Sequence, residues 1–150
     1  MGLHVYKKRH LRDVARIYVG AFTAPPISYN FVNHANSEGY LHDITKKPGF
    51  LGYVYLHDTE IISFVFGSID NYFEGSIFTI EEFAVDARFH RGGFGSIVIG
   101  LLERELESMG MDAITLNTSR RLPAYRFYLK HSFEEVADNV SLMKQLKKKV

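Results

Sequence analysis

One stretch of the chain, residues 80–109, joins a strand pattern to a long helix pattern through a glycine-rich turn. The letters IEEFAV at 80–85 are typical of a strand, and apolar residues recur at helical spacing from Phe94 to Met109. The connecting letters are HRGGFGS, residues 90–96. Such a turn directs backbone N–H groups and the positive end of the helix dipole at one point. The stretch therefore predicts either a phosphate site or an ordinary strand-to-helix connection.

The composition excludes several other classes of protein. The length of 150 residues fits one domain, 1–150, and 46% apolar residues are enough for one core. A formal net charge of +1 gives no basis for a nucleic-acid-binding surface. The absence of cysteine excludes disulfides and a cysteine-linked acyl intermediate.

The sequence shows neither a membrane-targeting segment nor a metal-binding pattern. No apolar run approaches the roughly 18 residues of a membrane span, and the first residues do not resemble a signal peptide. The seven histidines show no spacing typical of metal ligands. We therefore expect a cytoplasmic protein with no membrane partner and no metal.

The remaining elements indicate a mixed fold. We expect strands at 3–6, 50–57, 60–69, 76–85, 112–117, 133–137 and 140–146, and helices at 10–22, 94–109 and 123–131, with an irregular helical region within 27–47. A meander of three strands precedes a parallel crossover through the long helix. This order predicts an α+β fold with one mixed sheet of about seven strands and about four helices.

Two motifs resemble the GCN5-related N-acetyltransferase (GNAT) superfamily. Residues 90–95, HRGGFG, are similar to its acetyl-CoA signature Gln/Arg-x-x-Gly-x-Gly/Ala, with His90 in place of Gln or Arg. Asn117 followed by AYRFYLKHSF at 124–133 resembles its closing motif, with Ser132 in place of Gly. The two motifs occur in the order that the family shows.

The resemblance implies a GNAT-like fold in which the strands ending at Val85 and Asn117 diverge into a V-shaped gap that holds acetyl-CoA. It implies that the glycine turn binds pyrophosphate, that a backbone N–H at or near Val85 polarises the thioester, and that Tyr128 protonates the coenzyme thiolate. The residues implied to bind the cofactor are Phe83, Ala84, Val85, His90, Arg91, Gly92, Gly93, Phe94, Gly95, Ser96, Asn117 and Tyr128.

Two adjacent acids, Glu81 and Glu82, precede the segment implied to bind the pantetheine arm. In a regular strand their side chains would face opposite sides of the sheet. The run IEEF at 80–83 resembles the Glu-Asp-Phe run of polyamine acetyltransferases in the same superfamily, where the first acid is the proposed base. We therefore expect Glu81 first, and Glu82 second, to be the base, directly or through water. The alternative is a pair of solvated strand carboxylates.

The resemblance thus predicts an acyltransferase that moves an acetyl group from acetyl-CoA to a primary amine by direct attack. A small cationic amine or a peptide or protein amine is the expected acceptor, because the two acids form an acidic rim. The main alternative is a non-catalytic acyl-CoA sensor module. A nucleotide-binding protein is less favoured, because the turn lacks the Lys-Ser/Thr pair of a P-loop. A homodimer, common in the resembling family, stays an open expectation.

Overall fold

A computed structural model describes residues 2–25, 27–29 and 32–147 of the chain. The chain divides into two compact units, 1–118 and 119–150. The helical region expected within 27–47 falls partly on residues 30 and 31, which lie outside the described residues. The first unit contains β1 (Gly2–Val5), α1 (Leu11–Thr23), α2 (His34–Thr45), β2 (Phe50–His57), β3 (Glu60–Tyr72), β4 (Gly75–Val85), α3 (Phe94–Ser108) and β5 (Ala113–Leu116), and the second contains α4 (Pro123–Lys130).

One mixed sheet organises the first unit. The order of strands in the sheet is β1-β2-β3-β4-β5. Each adjacent pair from β1 to β4 is antiparallel, whereas β5 is parallel to β4. The long helix α3 makes the crossover between the two parallel strands, as the sequence predicts. The α+β prediction is therefore confirmed, as is that of about four helices, since the described residues form four.

The prediction of about seven strands is wrong, because the sheet has five strands in the described part of the chain. The described residues of 133–147 form no strand. A turn does form beside Asp138, whose φ of 67° is left-handed. However, Val136 and Val140 on its two sides are exposed by 62% and 78%. An apolar, β-prone segment becomes a strand only when a neighbouring backbone completes its hydrogen bonds and a layer covers its side chains.

Helices cover both faces of the sheet. Residues of α1 and α2 form the main core with one face of β2, β3 and β4, including Leu41, Val54 and Phe66. Tyr53 and Tyr55 alternate with Val54 and so lie on the opposite face. There the Tyr53 hydroxyl meets the Met109 Sδ, just after α3, at 3.6 Å.

A β-bulge interrupts the pairing of β3 with β4. Phe66 pairs with Glu82 and the next residue, Gly67, pairs with Ile80, so that Glu81 is the extra residue. A Cβ at Gly67 would lie 2.3 Å from the Phe78 Cζ atom and 2.4 Å from a backbone oxygen. A side chain at position 67, next to the bulge, would therefore clash with β4, and the bulge places Glu82 on the face that carries Phe66, α1 and α2.

The two parallel strands stop pairing before β4 ends. Pairing of β4 with β5 runs from Ile77 to Ile80, opposite Ala113 to Leu116. β5 ends there, whereas β4 continues to Val85. In the described part of the chain, the segment of β4 after Ile80 therefore has no β5 residue paired to it.

Candidate active site

The turn between β4 and α3 has a left-handed backbone at two places. Arg91 has φ of 66° and Gly93, the residue before α3, has φ of 80°. Arg91, Gly92 and Gly93 are exposed. A Cβ at Gly93 would meet no atom within 4 Å, so the backbone angle rather than space favours glycine there.

Helix α3 begins at this turn with no side-chain cap among the described residues. Its first intrahelical bond to the turn runs from the Ile97 N–H to the Gly93 carbonyl at 3.2 Å. The N–H groups of the preceding residues in a first turn have no acceptor within the helix, and the helix dipole is positive there. The geometry can therefore bind an anion such as a phosphate.

His90 ties the turn to the end of β4. Its Nε2 lies 2.8 Å from the Val85 carbonyl oxygen. The Asp86 N–H donates to the Ile62 carbonyl of β3 at 2.7 Å. Backbone groups alternate in direction along an antiparallel ladder. The N–H of Val85 therefore points away from β3, toward the edge of β4 that β5 leaves unpaired.

Asp86 anchors this region to α1 and was not identified from the sequence. It is 5% exposed and accepts hydrogen bonds from Arg16 Nη1 at 2.8 Å and from Arg88 Nη2 at 2.8 Å. Arg88 also pairs with Glu60. The hydrogen bonds from the Arg88 side chain, and then those from its backbone N–H and from Arg16, hold the pKa of Asp86 well below its usual range. The one sequence feature that could have pointed to Asp86 is its position directly after the strand and two residues before Arg88.

Glu82 is a partly buried carboxylate with a specific partner. The Tyr40 hydroxyl of α2 donates to the Glu82 Oε1 atom at 3.1 Å. Burial raises the pKa of Glu82, the Tyr40 hydrogen bond opposes the shift, and the charge of Glu81 adds to it, with the net result that the pKa is about 7. A carboxylate with a pKa close to neutral can accept and release a proton under ordinary conditions.

Glu81 has a different environment. Its Oε2 lies 3.8 Å from the Lys47 Nζ, just after α2. Both carboxylates thus reach α2 or its end, on one face of the sheet. The expectation that they face opposite sides is wrong, because the bulge at Glu81 breaks the alternation of a regular strand.

A comparison of the sequence with models of protein families finds a match. The model of the acetyltransferase (GNAT) family matches residues 11–133. The chain belongs to the GNAT acetyltransferase family. A comparison with curated protein sequences finds no match.

Several solved structures resemble this GNAT chain over nearly its whole length. A possible acetyltransferase from Clostridium difficile 630 is 10% identical, covers 97% of each chain and has a TM-score of 0.79. An aminoglycoside acetyltransferase from an uncultured soil metagenomic sample is 16% identical, covers 95% of this chain and 97% of its own, and has a TM-score of 0.69. The aminoglycoside antibiotic 6'-N-acetyltransferase AAC(6')-IG from Acinetobacter haemolyticus is 15% identical, covers 98% and 100%, and has a TM-score of 0.68. At these identities the likeness shows the fold alone.

The closing GNAT motif lies on α4 in the second unit. Pro123 occupies the first turn of the helix, where its missing N–H costs nothing. Tyr128 is 8% exposed, and its ring lies 5.1 Å from that of Phe133. Ser132 has φ of 68°, the left-handed conformation that the glycine of the family motif adopts without strain.

The structure places most of the expected site residues at one end of β4. Phe83, Ala84 and Val85 form its last residues, the turn of 90–96 follows, and Glu82 lies beside them in the first unit. Asn117 is exposed directly after β5. No helix within the described ranges is long and apolar enough to cross a membrane. Among the same residues, no group of three or more histidine or acidic side chains is arranged to hold a metal ion.

Proposed function

We propose that this GNAT chain is an acetyl-CoA-dependent N-acetyltransferase that acts on a primary amine. The observation that carries the proposal is the exposed left-handed turn at Gly93, which leads into α3 and follows the part of β4 that extends past its pairing with β5. Two of the structures of similar fold are named as aminoglycoside acetyltransferases, which supports an amine as the acceptor.

The residues of the turn fit the cofactor. The N–H groups from Phe94 to Ser96 would bind its pyrophosphate at the positive end of α3, and the exposed backbone of Arg91 to Gly93 leaves room for it. The backbone of Phe83 to Val85 would pair with the pantetheine arm as an additional strand does. Acetyl-CoA, when bound, supplies the thioester from which the acetyl group is transferred.

Glu82 is the base that we favour over Glu81. The pKa of Glu82 of about 7 lets it remain ionised in part at neutral pH and accept a proton from the bound ammonium, directly or through water. Glu81 faces Lys47 instead. The neutral amine then forms the C–N bond as the C–S bond breaks.

Two further groups complete the proposed chemistry. The Val85 N–H would stabilise the negative charge that develops on the carbonyl oxygen. Tyr128 would donate its phenolic proton to the leaving sulfur, a role that rests on the motif it shares with the family. Nitrogen loses two protons in all. The first passes to Glu82, and the second, released after the C–N bond forms, would return through water to the Tyr128 oxygen that has given its proton to the sulfur, so the protons and charges balance.

A titration with acetyl-CoA followed by thiol-release assays tests the proposal. We expect heat on binding, a raised melting temperature and release of free thiol when an amine is added. No heat and no thermal shift would refute the proposal. Binding without thiol release across alkylamines, arylalkylamines, polyamines, aminoglycosides and peptide amines would favour the acyl-CoA sensor instead.

A further inference from the structure

Four aromatic rings extend from Glu82 across α2 and α1. The rings of Tyr40 and Tyr18 are 5.8 Å apart, those of Tyr18 and Phe22 are 4.7 Å apart, and those of Phe22 and Tyr29 are stacked at 6.2 Å. We call these four residues the aromatic row. It begins at the Tyr40 hydroxyl, which bonds Glu82.

The aromatic row is held in place by the backbone. Tyr18 and Phe22 lie one turn apart on α1, so their side chains are neighbours. The Tyr29 N–H donates to the Phe22 carbonyl at 2.8 Å, which folds the chain after α1 back onto the helix. Tyr40 is 46% exposed, and the other three rings are partly exposed. The row is therefore a fixed apolar surface that solvent can still reach.

The charges beside the row favour a ligand with one cationic group. Glu82 contacts the row through Tyr40, whereas Glu81 faces Lys47 at 3.8 Å. An amine with several positive charges would gain from several unpaired carboxylates, and of these two only Glu82 contacts the row. Aromatic rings gain most from contact with another ring or apolar group, in offset or edge-to-face packing.

We infer that the acceptor is an arylalkylamine, in which one primary amine is joined by a short spacer to an aromatic ring. Its amine would bind at Glu82, and its ring would pack against Tyr18, Phe22 and Tyr29. This inference rests on the proposed function for its reaction, but the binding of such an amine to the aromatic row can be measured separately.

The experiment compares 2-phenylethylamine, n-butylamine and spermidine in the thiol-release assay at saturating acetyl-CoA. We expect kcat/KM for 2-phenylethylamine to exceed that for each of the other two amines by about tenfold or more, as the burial of a phenyl ring predicts. The variants Phe22→Leu and Tyr29→Leu should lower kcat/KM for 2-phenylethylamine by about three- to tenfold and lower that for n-butylamine by a smaller factor, because a butyl chain has no ring to pack against the row. Tyr72→Leu, an exposed residue at the far end of β3, is the matched control and should change neither value.

Direct binding separates this inference from the proposed function. The dissociation constant of 2-phenylethylamine is measured by calorimetry with coenzyme A present, in the wild type and in Phe22→Leu. Binding that weakens in the variant, without thiol release, would support the aromatic site and refute the transferase. Equal kcat/KM for all three amines, a preference for spermidine, or no binding of 2-phenylethylamine would overturn the inference while leaving acetyl-CoA binding intact.

Discussion

The Tyr40 hydroxyl donates a hydrogen bond to the Glu82 carboxylate at 3.1 Å and so joins α2 to β4 across 42 positions of sequence. The bond stabilises the ionised carboxylate, whereas burial and the charge of Glu81 destabilise it. Burial dominates, and the pKa of Glu82 rises to about 7. The same residue therefore has consequences for catalysis and for stability.

Replacement of Glu82 should remove the pH dependence of the reaction near neutrality. In the wild type, kcat should rise with pH as Glu82 loses its proton, with an inflection near pH 7. Glu82→Gln should lower kcat by about 10²- to 10⁴-fold and abolish this rise, because an amide cannot act as a base. Steady-state thiol release from pH 5.5 to 9 measures both effects.

Glu81→Gln is the matched control, since it removes one negative charge from the neighbouring residue. It should keep the inflection and move it to slightly lower pH, because the charge of Glu81 contributes to the raised pKa of Glu82. If Glu81→Gln instead lost the activity and Glu82→Gln kept it, the assignment of the base would be reversed.

Glu82 should also make the folded state less stable as pH rises. Its pKa in the folded protein, about 7, lies above the ordinary value of 4.5, so the folded state retains a proton that the unfolded chain has released. The free energy of unfolding should therefore fall between about pH 4.5 and pH 7 through this group and level off above that range. Urea titrations of the wild type and Glu82→Gln at several pH values measure the free energy of unfolding. In the variant this free energy should depend less on pH over the same range. An identical profile in both proteins would contradict the raised pKa.

The Gly93→Ala variant tests whether the glycine turn binds the cofactor, and Gly110→Ala is its matched control. Gly93 and Gly110 have φ of 80° and 81°, and a Cβ at either position would meet no atom within 4 Å. Alanine should therefore lower the free energy of unfolding by a similar amount at both positions, about 1 kcal/mol. Only Gly93→Ala should raise the dissociation constant of acetyl-CoA, by about tenfold, because Gly110 lies at the other end of α3. Equal binding by the two variants would place the cofactor elsewhere.

Local patterns in the sequence predicted much of the fold, including the glycine turn between β4 and α3. The glycine turn, α3 and the strand on each side of α3 all depend on residues that are close in sequence, and their periodicity was clear. The segment 133–147 has the same local pattern of apolar residues and turn, yet its described residues form no strand. A strand requires a partner, and the identity of the partner is not a local property of the sequence.

The arrangement around Glu82 could not be predicted because it depends on distant residues. The bulge that turns Glu82 toward α2 lies beside Gly67 of the neighbouring strand, where a Cβ would clash with β4. The partner Tyr40 comes from a helix that the sequence indicated only as an irregular region. Asp86 was missed for the same reason, since its partner Arg16 lies 70 positions away.

Tyr128→Phe tests the proposed acid on α4. The substitution keeps the ring that packs 5.1 Å from the ring of Phe133 and removes only the hydroxyl. We expect kcat to fall by about 10²-fold with the dissociation constant of acetyl-CoA unchanged, because a general acid acts in the transition state rather than in binding.

Tyr125→Phe is the matched control on the same helix, where it removes a hydroxyl that donates to Glu135 Oε2 at 3.0 Å. It should leave kcat within about twofold of the wild type, since that hydroxyl has no role in the proposed reaction. Equal losses in both variants would indicate a structural effect of α4, and no loss in Tyr128→Phe would assign the acid to another group.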